Sequence, residues 1–551
     1  MNKKPCQTPF NNNCTRPSAK SVTDVFYSFL SGLNTSKIGG NTSVLQLNYD
    51  DGSQLRCMVD PGDIFGDNRN LEHPAMVDCD TVIADMRDYF DYDDAGHFEK
   101  AKTPLDFIIL SHSHRDHIGA ISKMILMGYK MPQIYATPYT KQRLYQHLNN
   151  ENIDPTQWPK VTEVAPGQHI KRDGLDLGLF SVSHSTPQSL GLAFKTPEGT
   201  IVHTCDWKKD QTLIWGPGFD EDQFKTVVGK DVSVLLMDST GADSRKTPVT
   251  EHHFRQTLRE LFKAHPNKRF VIATHPGFEE NMASIAKVVT EHDKTLFVDS
   301  WSHDQVFSAL HETGLDLSDH IGEYVDVKSL SSSKHQKDLQ NTKPSQAVVL
   351  TAGVQGHKNA ALVRAAHGRS RTLTLDPKKD IILLCGPNMP GQDKDNKFAL
   401  MAELKKQGFE IYTHPDHKLY PHAHARQSEI KYMAKLAQPN TVIPVHGDTV
   451  LRQKCEDLLS KQGHRVLKAE NGQVLRLKAG KVTVDQDKGF TPHFIGFETR
   501  TGSHWRDRDY VVKMSAHHQP PAPVNDDHSD HPKKTSKARR KPRLFGDYKR
   551  F

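Results

Sequence analysis

Leu105-Asp-Phe-Ile-Ile-Leu110-Ser-His112-Ser-His114-Arg-Asp116-His117-Ile-Gly119 is the stretch on which the reading of this chain turns. Its first six residues are an apolar run of the length and composition of a short buried strand. The next seven switch to metal-ligand chemistry, with three imidazoles and a carboxylate. Neutral imidazole and carboxylate are natural ligands of Zn²⁺ or Mn²⁺. A strand-to-loop junction lets such closely spaced side chains converge, whereas a helix sends positions two apart to different faces. Gly119 then allows a helix to begin close by. The bland alternative for the same residues is a solvated polar loop.

One loop cannot complete the shells of two metals, so further donors are expected at other strand ends. Three residues stand there: His184 after Phe180-Ser-Val-Ser, Asp206 after Ile201-Val-His-Thr-Cys, and His446 after Val442-Ile-Pro-Val. A lone His or Asp in such a place is more often a cap or a hydrogen-bonded loop residue. Three of them in order behind His112-x-His-x-Asp-His117 weigh toward metal.

Outward from this motif the chain reads as α/β. Ser43–Tyr49 and Gln54–Val59 flank the turn Asp50-Asp51-Gly52, and a second hairpin joins Leu190–Lys195 to Thr200–Thr204. Leu175–Val182, Val232–Met237, Arg269–Ala273, Thr295–Val298, Ala347–Leu350, Asp380–Leu384 and Thr441–Val445 read as further strands, with helical patterns such as Glu251–Ala264 and Asn281–Glu291 between them. Residues 1–36, polar and rich in Asn, Ser and Thr, read as a loose lead-in without the apolar core of a signal peptide. No apolar stretch approaches the roughly 20 residues that cross a bilayer. The seven cysteines are scattered without a CxxC pair, which suits a reducing cytoplasmic interior. With 36% hydrophobic and 25% charged residues over 551 positions, wholesale disorder, collagen, coiled coil and disulfide scaffolds are excluded. The net charge of +6 is uneven: residues 531–551 hold nine Lys/Arg against Asp547, leaving the other 530 residues at −2. Those basic residues, with Phe545, Tyr548 and Phe551, suit contact with phosphates and bases, or a merely solvated terminus.

Met58-Val-Asp60-Pro-Gly, then His112-Ser-His-Arg-Asp-His-Ile-Gly-Ala120, then the run from Val182 to Asp206, then Ile443-Pro-Val-His-Gly-Asp448, together resemble the metallo-β-lactamase fold. More narrowly, the chain resembles the ribonuclease J family of the β-CASP group. The likeness is collinear over roughly residues 37–475 and includes Leu236-Met-Asp-Ser-Thr240, Thr351-Ala-Gly-Val-Gln-Gly356 and Ala360-Ala-Leu-Val-Arg364, to which no metal role is given. It implies an αββα sandwich interrupted by an α/β β-CASP domain: sandwich at 37–240, insertion at 241–375, sandwich again at 376–480, and an extension at 481–551 ending in a short disordered basic tail. It implies two divalent ions, Zn²⁺ first and Mn²⁺ as the alternative. His112, His114 and His184 would hold one, Asp116, His117 and His446 the other, with Asp206 bridging and Asp60 orienting the histidine loop.

Asp206, Asp116 and His424 are the implied catalytic groups, His424 matching the last histidine of the family's His-x-Ser-Gly-His motif in Tyr420-Pro-His-Ala-His424. Gly353, Gln355, Gly356 and His422 are candidate RNA or phosphate contacts, each with a structural turn or loop role as the alternative. The implied activity is hydrolysis of phosphodiesters in single-stranded RNA, from the 5′ end with some internal cleavage. A DNA-directed nuclease and a small-molecule hydrolase are the rivals. A homodimer is compatible with the resemblance, although the family's small C-terminal domain is reduced or missing here.

Overall fold

Period-two alternation decides how the metal-bearing half is layered. In the strand Gln54–Val59, Leu55, Cys57 and Val59 join one core cluster and Met58 another. In Phe107–Ile109, Phe107 and Ile109 join the first and Ile108 the second. The computed structural model describes residues 20–33, 39–65, 79–94, 97–216, 218–387, 392–501 and 508–514. Eight strands form one sheet, in the order Val161–Glu163, Gln133–Ala136, Phe107–Ile109, Gln54–Val59, Thr42–Tyr49, Val22–Ser31, Val474–Lys478, Lys481–Asp485. Six form a second, in the order His169–Arg172, Leu175–Ser181, Leu190–Thr196, Gly199–His203, Val232–Asp238, Thr441–Val445. Their inner faces meet in a shared core of Tyr27, Leu45, Val59, Ile109, Leu179, Phe194, Leu236 and Ile443. Helices Ala120–Leu126 and Pro138–Asn150 cover one outer face, and Glu221–Val228, Gln427–Ala437 and Thr449–Ser460 the other. This is the αββα sandwich expected from the sequence.

A parallel six-stranded sheet interrupts the sandwich, in the order Val327–Ser329, Thr295–Asp299, Ala347–Ala352, Arg269–Thr274, Asp380–Cys385, Glu410–Thr413. Apolar clusters lie on both of its faces, as parallel sheets require. Its extent differs from the sequence-based boundary at 375: Asp380–Cys385 pairs with Arg269–Thr274, and Glu410–Thr413 with Asp380–Cys385, so the chain returns to the sandwich only after Thr413. The start differs too. Val22–Ser31 is a central strand of the first sheet, paired on both sides, so residues 22–31 are not loose. The polar composition of residues 1–36 as a whole masked the run Val25-Phe-Tyr-Ser-Phe-Leu30. Past residue 480, Phe494–Thr501 pairs with both Thr81–Ala84 and Arg508–Met514. The basic tail at 531–551 lies outside the described residues. No helix among the described residues is long and apolar enough to cross a membrane, and Cys57, Cys205, Cys385 and Cys455 are buried free thiols.

A buried polar seam joins sandwich and insertion. Tyr139 and Trp215, from the sandwich, sit in the apolar cluster of the inserted domain. Beside them Lys208 Nζ lies 3.6 Å from both Asp210 Oδ2 and Glu251 Oε1. Arg255 donates to Ser284 Oγ at 3.0 Å and to Thr212 O at 2.9 Å, and the Glu280 carboxyl accepts from the N–H groups of Ile214 (2.9 Å) and Trp215 (3.3 Å). Two cations against Asp210, Glu251 and Glu280 are neutral only if one carboxyl keeps its proton. Burial, and then the charge of Glu251, push Glu280 up to about 8, so Glu280 is that group.

An unfolded glutamate ionises near 4.5. Between that value and about 8 the folded chain holds the extra proton, and stability from this group falls as pH rises. Glu280→Gln is neutral throughout and lacks the slope. In denaturant unfolding followed by circular dichroism, the unfolding free energy of Glu280→Gln relative to the native chain is expected to climb from about pH 5 to about pH 8, by at most about 1.4 kcal/mol per pH unit. A constant difference would show that Glu280 is ionised in the fold.

Candidate metal centre

Strand direction brings the candidate residues to one edge. Leu175–Ser181 and Gly199–His203 both run antiparallel to Leu190–Thr196, and Gly199–His203, Val232–Asp238 and Thr441–Val445 are mutually parallel. The residues that follow them, His184, Asp206, Asp238 and His446, therefore emerge on the same side. In the facing sheet Gln54–Val59 runs parallel to Phe107–Ile109, which places Asp60 beside the His112–His117 loop. Arg115–Ile118 closes as a single helical turn, swinging Asp116 and His117 back over the strand ends.

Each of five histidines gives one nitrogen to the protein and keeps the other facing inward. His112 Nδ1 donates to Ser111 Oγ at 2.9 Å, His114 Nε2 to Gly277 O at 2.9 Å, and His184 Nδ1 to Ala423 O at 2.9 Å. His117 Nδ1 donates to Asp60 Oδ2 at 2.9 Å and His446 Nδ1 to Thr240 Oγ1 at 2.7 Å. A proton fixed on the outer nitrogen leaves a lone pair on the inner one, as a metal ligand needs. The inner atoms converge on two carboxylates. Asp206 Oδ2 lies 3.6 Å from His112 Nε2, 3.3 Å from His117 Nε2 and 3.7 Å from His184 Nε2, and Asp206 Oδ1 lies 3.5 Å from His446 Nε2. Asp116 Oδ2 is 3.2 Å from His446 Nε2 and 3.6 Å from His117 Nε2, while His184 Nε2 is 3.0 Å from His114 Nδ1.

Donor atoms set tetrahedrally about an ion at 2.0–2.2 Å are about 3.3–3.6 Å apart. The spacing here matches, and the donors fall into two groups, His112, His114, His184, Asp206 and Asp116, His117, Asp206, His446. Two wholly buried atoms at the centre, His112 Nε2 and Asp206 Oδ1, have no hydrogen-bond partner, which a protein interior tolerates where an ion takes the place of one. The cluster is a metal-binding one.

Its electrostatics carry the same mark. Burial drives His112 and His184 well below the usual imidazole range, leaving neutral ligands. At His117 and His446 burial pulls the same way, but Asp206 and its neighbouring carboxylates overcome it and hold both rings up, His446 to about 10. The excess negative charge thus sits around Asp116 and Asp206, where protons or cations must balance it. Asp60, Cys205 and His446 all have left-handed backbone, with φ of 52°, 50° and 51°, a strained geometry of the kind that gathers at functional sites.

His424, 22% exposed, stacks on His446 at 5.2 Å between ring centroids and donates from Nδ1 to Asp238 Oδ2 at 2.8 Å. Asp238, which the sequence reading passed over, joins Asp206, His424 and His446 in a third close group. It ends a strand adjacent and parallel to that of His446, and the strand-end logic applied to Asp206 would have found it. Ser111, Thr240 and Asn41, whose Nδ2 is 3.1 Å from His117 Nε2, were missed as well; nothing in their residue types signals the role. His422 lies elsewhere: Nδ1 donates to Val249 O at 2.8 Å and Nε2 to the Glu429 carboxylate at 3.0 Å, so no nitrogen is left for phosphate. Gly353 and Gly356, with φ of 122° and 77°, shape a turn whose Gln355 donates from Nε2 to Pro387 O at 3.2 Å. The remaining Gln355 Oε1 is buried, unpartnered and of the wrong polarity for phosphate.

Asp60 accepts from Ser111 N at 2.7 Å, Ser111 Oγ at 2.6 Å and His117 Nδ1, so one carboxylate orients two donor-bearing segments. Asp60→Asn keeps the shape and loses an acceptor. It is expected to lower metal affinity about 10–100-fold with the fold retained, measured as bound metal per chain against a competing chelator; unchanged affinity would detach Asp60 from the centre.

Three family models match in succession: a beta-lactamase superfamily domain over residues 89–275, the beta-CASP domain of ribonuclease J over 267–399, and a Zn-dependent metallo-hydrolase RNA specificity domain over 420–468. The chain is 26% identical to ribonuclease J of Mycobacterium tuberculosis H37Rv over 408 residues, covering 74% of this chain and 68% of that one. It is 26% identical to ribonuclease J of Sinorhizobium meliloti over 437 residues, covering 79% and 71%, and 26% identical to that of Thermus thermophilus over 377 residues, covering 67% and 63%. Among solved structures, a protein of unknown function from Enterococcus faecalis V583 shares the fold with a TM-score of 0.57 at 17% identity, over 83% of this chain and 100% of that one. Over most of its length the chain is thus similar to the ribonuclease J group, the β-CASP branch of the metallo-β-lactamase superfamily, and matches that group's domains in the same order.

Proposed function

We propose that the chain is a metal-dependent ribonuclease that hydrolyses phosphodiester bonds of single-stranded RNA, from the 5′ end with some internal cleavage, using two divalent ions, Zn²⁺ or Mn²⁺. The observation that carries this reading is the convergence of five inward-facing imidazole nitrogens on Asp116 and Asp206, beside the His424–Asp238 pair. His112, His114, His184 and Asp206 would hold one ion, and Asp116, His117, His446 and Asp206 the other. Ions so placed supply Lewis-acid polarisation of a phosphodiester and a water nucleophile available near neutral pH. Asp206, set between the two groups, serves both. Burial lowers the proton affinity of His424, but Asp238 overcomes it and raises the ring above its ordinary value. With Nδ1 tied to Asp238, His424 offers Nε2–H to the oxygen that leaves phosphorus. The names of the relatives and of the 420–468 model support RNA over DNA as the polymer. Any phosphate contact at Gly353–Gly356 comes from backbone N–H groups, since the Gln355 side chain is committed elsewhere. The buried free thiols suit a reducing cytoplasm.

Purified protein loaded with each metal is expected to release mononucleotides from 5′-monophosphate RNA labelled at either end, and to leave DNA of the same sequence largely intact. Asp206→Asn should abolish this, and His424→Ala should slow it about 10²–10⁴-fold with bound metal unchanged. RNA breakdown indifferent to chelators would sink the reading. We also propose that the nine Lys/Arg of residues 531–551 contact the RNA backbone. Truncation at 530 should then weaken RNA binding and flatten its dependence on salt; an identical salt slope would show an idle tail.

A further inference from the structure

The two donor groups are not held alike. Around Asp116, His117 and His446 the supporting atoms belong to the sandwich: Asp60 holds His117, Thr240 holds His446, and Asn41 N donates to Asp116 O at 2.9 Å. Around His114 they come from the inserted domain, and around His184 they lean on it. His114 is held by the carbonyl of Gly277, on the loop that follows the inserted strand Arg269–Thr274. His184 is held by the carbonyl of Ala423, which lies past the return to the sandwich after Thr413 but is pinned to the start of the insertion through His422 Nδ1 and Val249 O. The two groups differ in charge as well. Asp116 and Asp206 both face the second group, whereas the first has three imidazoles and only a share of Asp206.

We infer that the inserted domain completes the first metal shell, so that an ion held by His112, His114 and His184 is retained only while that domain is seated, and an ion held by Asp116, His117 and His446 is not. This rests on the metal reading of the cluster and deepens it. The linkage can be traced bond by bond. Ser185, next to His184, donates from Oγ to Gly277 O at 3.2 Å and accepts at its own carbonyl from Glu280 N at 3.0 Å. The Glu280 carboxyl in turn binds the N–H groups of Ile214 and Trp215, across the seam. On the other side His422 is clamped between Val249 O and Glu429 while His424 is tied to Asp238, so Ala423 is fixed from both neighbours. His422 is thereby a positioning residue for His184. An imidazole whose outer N–H loses its acceptor can rotate and re-protonate, and its hold on an ion weakens.

The test is the kinetics of zinc release from the loaded, full-length chain into a colorimetric chelator, without RNA. The native protein is expected to release two ions in two phases. Glu280→Ala, which cuts the seam away from any donor, should speed the fast phase about tenfold and leave the slow one unchanged. Ser185→Ala should do the same more mildly, and carries the test if Glu280→Ala does not fold. His446→Ala, which removes a donor of the second group, should abolish the slow phase and keep the fast one. Equal acceleration of both phases, or release of both ions in a single phase, would overturn the inference while leaving the metal reading intact. A chain that takes up no zinc overturns both.

Discussion

Asp206 sets the terms for the rest of the molecule. It is a carboxylate almost wholly removed from water, with Asp116 and Asp238 facing the same centre and Asp60 just behind it. Charges of one sign gathered in a dry interior cost several kcal/mol each unless positive charge meets them at contact distance. Among the described residues no lysine or arginine ion-pairs with Asp206, and the side chains that face it at ion-pair distance are histidines. Imidazoles can meet a carboxylate as protonated rings or as neutral ligands of a shared cation, and the fixed outer N–H groups favour the second. The need to balance Asp206 thus explains why so many of the chain's histidines collect on one edge of the sandwich.

That edge exists because of strand direction. Four strands of the second sheet end there, and each contributes a buried His or Asp at or just past its last residue. The price is local strain, since Asp60, Cys205 and His446 take left-handed backbone that L-residues avoid, at about 1–3 kcal/mol each. Apolar contacts between the sheets offset it: Val59, Leu236, Ile443 and Val445, on the strands leading into the site, are essentially inaccessible to water, and each such side chain contributes about 1.5–3 kcal/mol. The core therefore does more than hold the sheets together. It fixes the chain where the donors leave the strands, which the loops alone could not do.

The α/β layering and the seven candidate donors were legible in the sequence for a common reason. Period-two alternation, and polar residues placed directly after apolar strands, are local signals carried by consecutive residues. What was not legible depends on partners distant in the chain. Val22–Ser31 is a strand because Thr42–Tyr49 and Val474–Lys478 flank it, and its polar surroundings hid it. The return from the insertion after Thr413, later than the expected 375, is decided by pairing between Asp380–Cys385 and Glu410–Thr413. Asp238 joins the centre's hydrogen bonds through His424, 186 positions away, which meets it at 2.8 Å. The carbonyls of Gly277 and Ala423 leave no trace in residue type at all.

His422 and His424 show the same lesson at the shortest range. They stand two residues apart, with alanines between and after them, and nothing in Pro421-His-Ala-His-Ala425 distinguishes their roles. Glu429 lies one helical turn into Gln427–Ala437 and captures His422, while Asp238 at the end of a sandwich strand captures His424. One carboxylate belongs to that helix and the other to the cluster of Asp206 and His446, so one imidazole is a brace with both nitrogens taken and the other sits in the cluster. The chemistry of each ring is decided by which acid it meets. In this segment the brace and the cluster are inseparable, because His422 steadies the Ala423 carbonyl that orients His184.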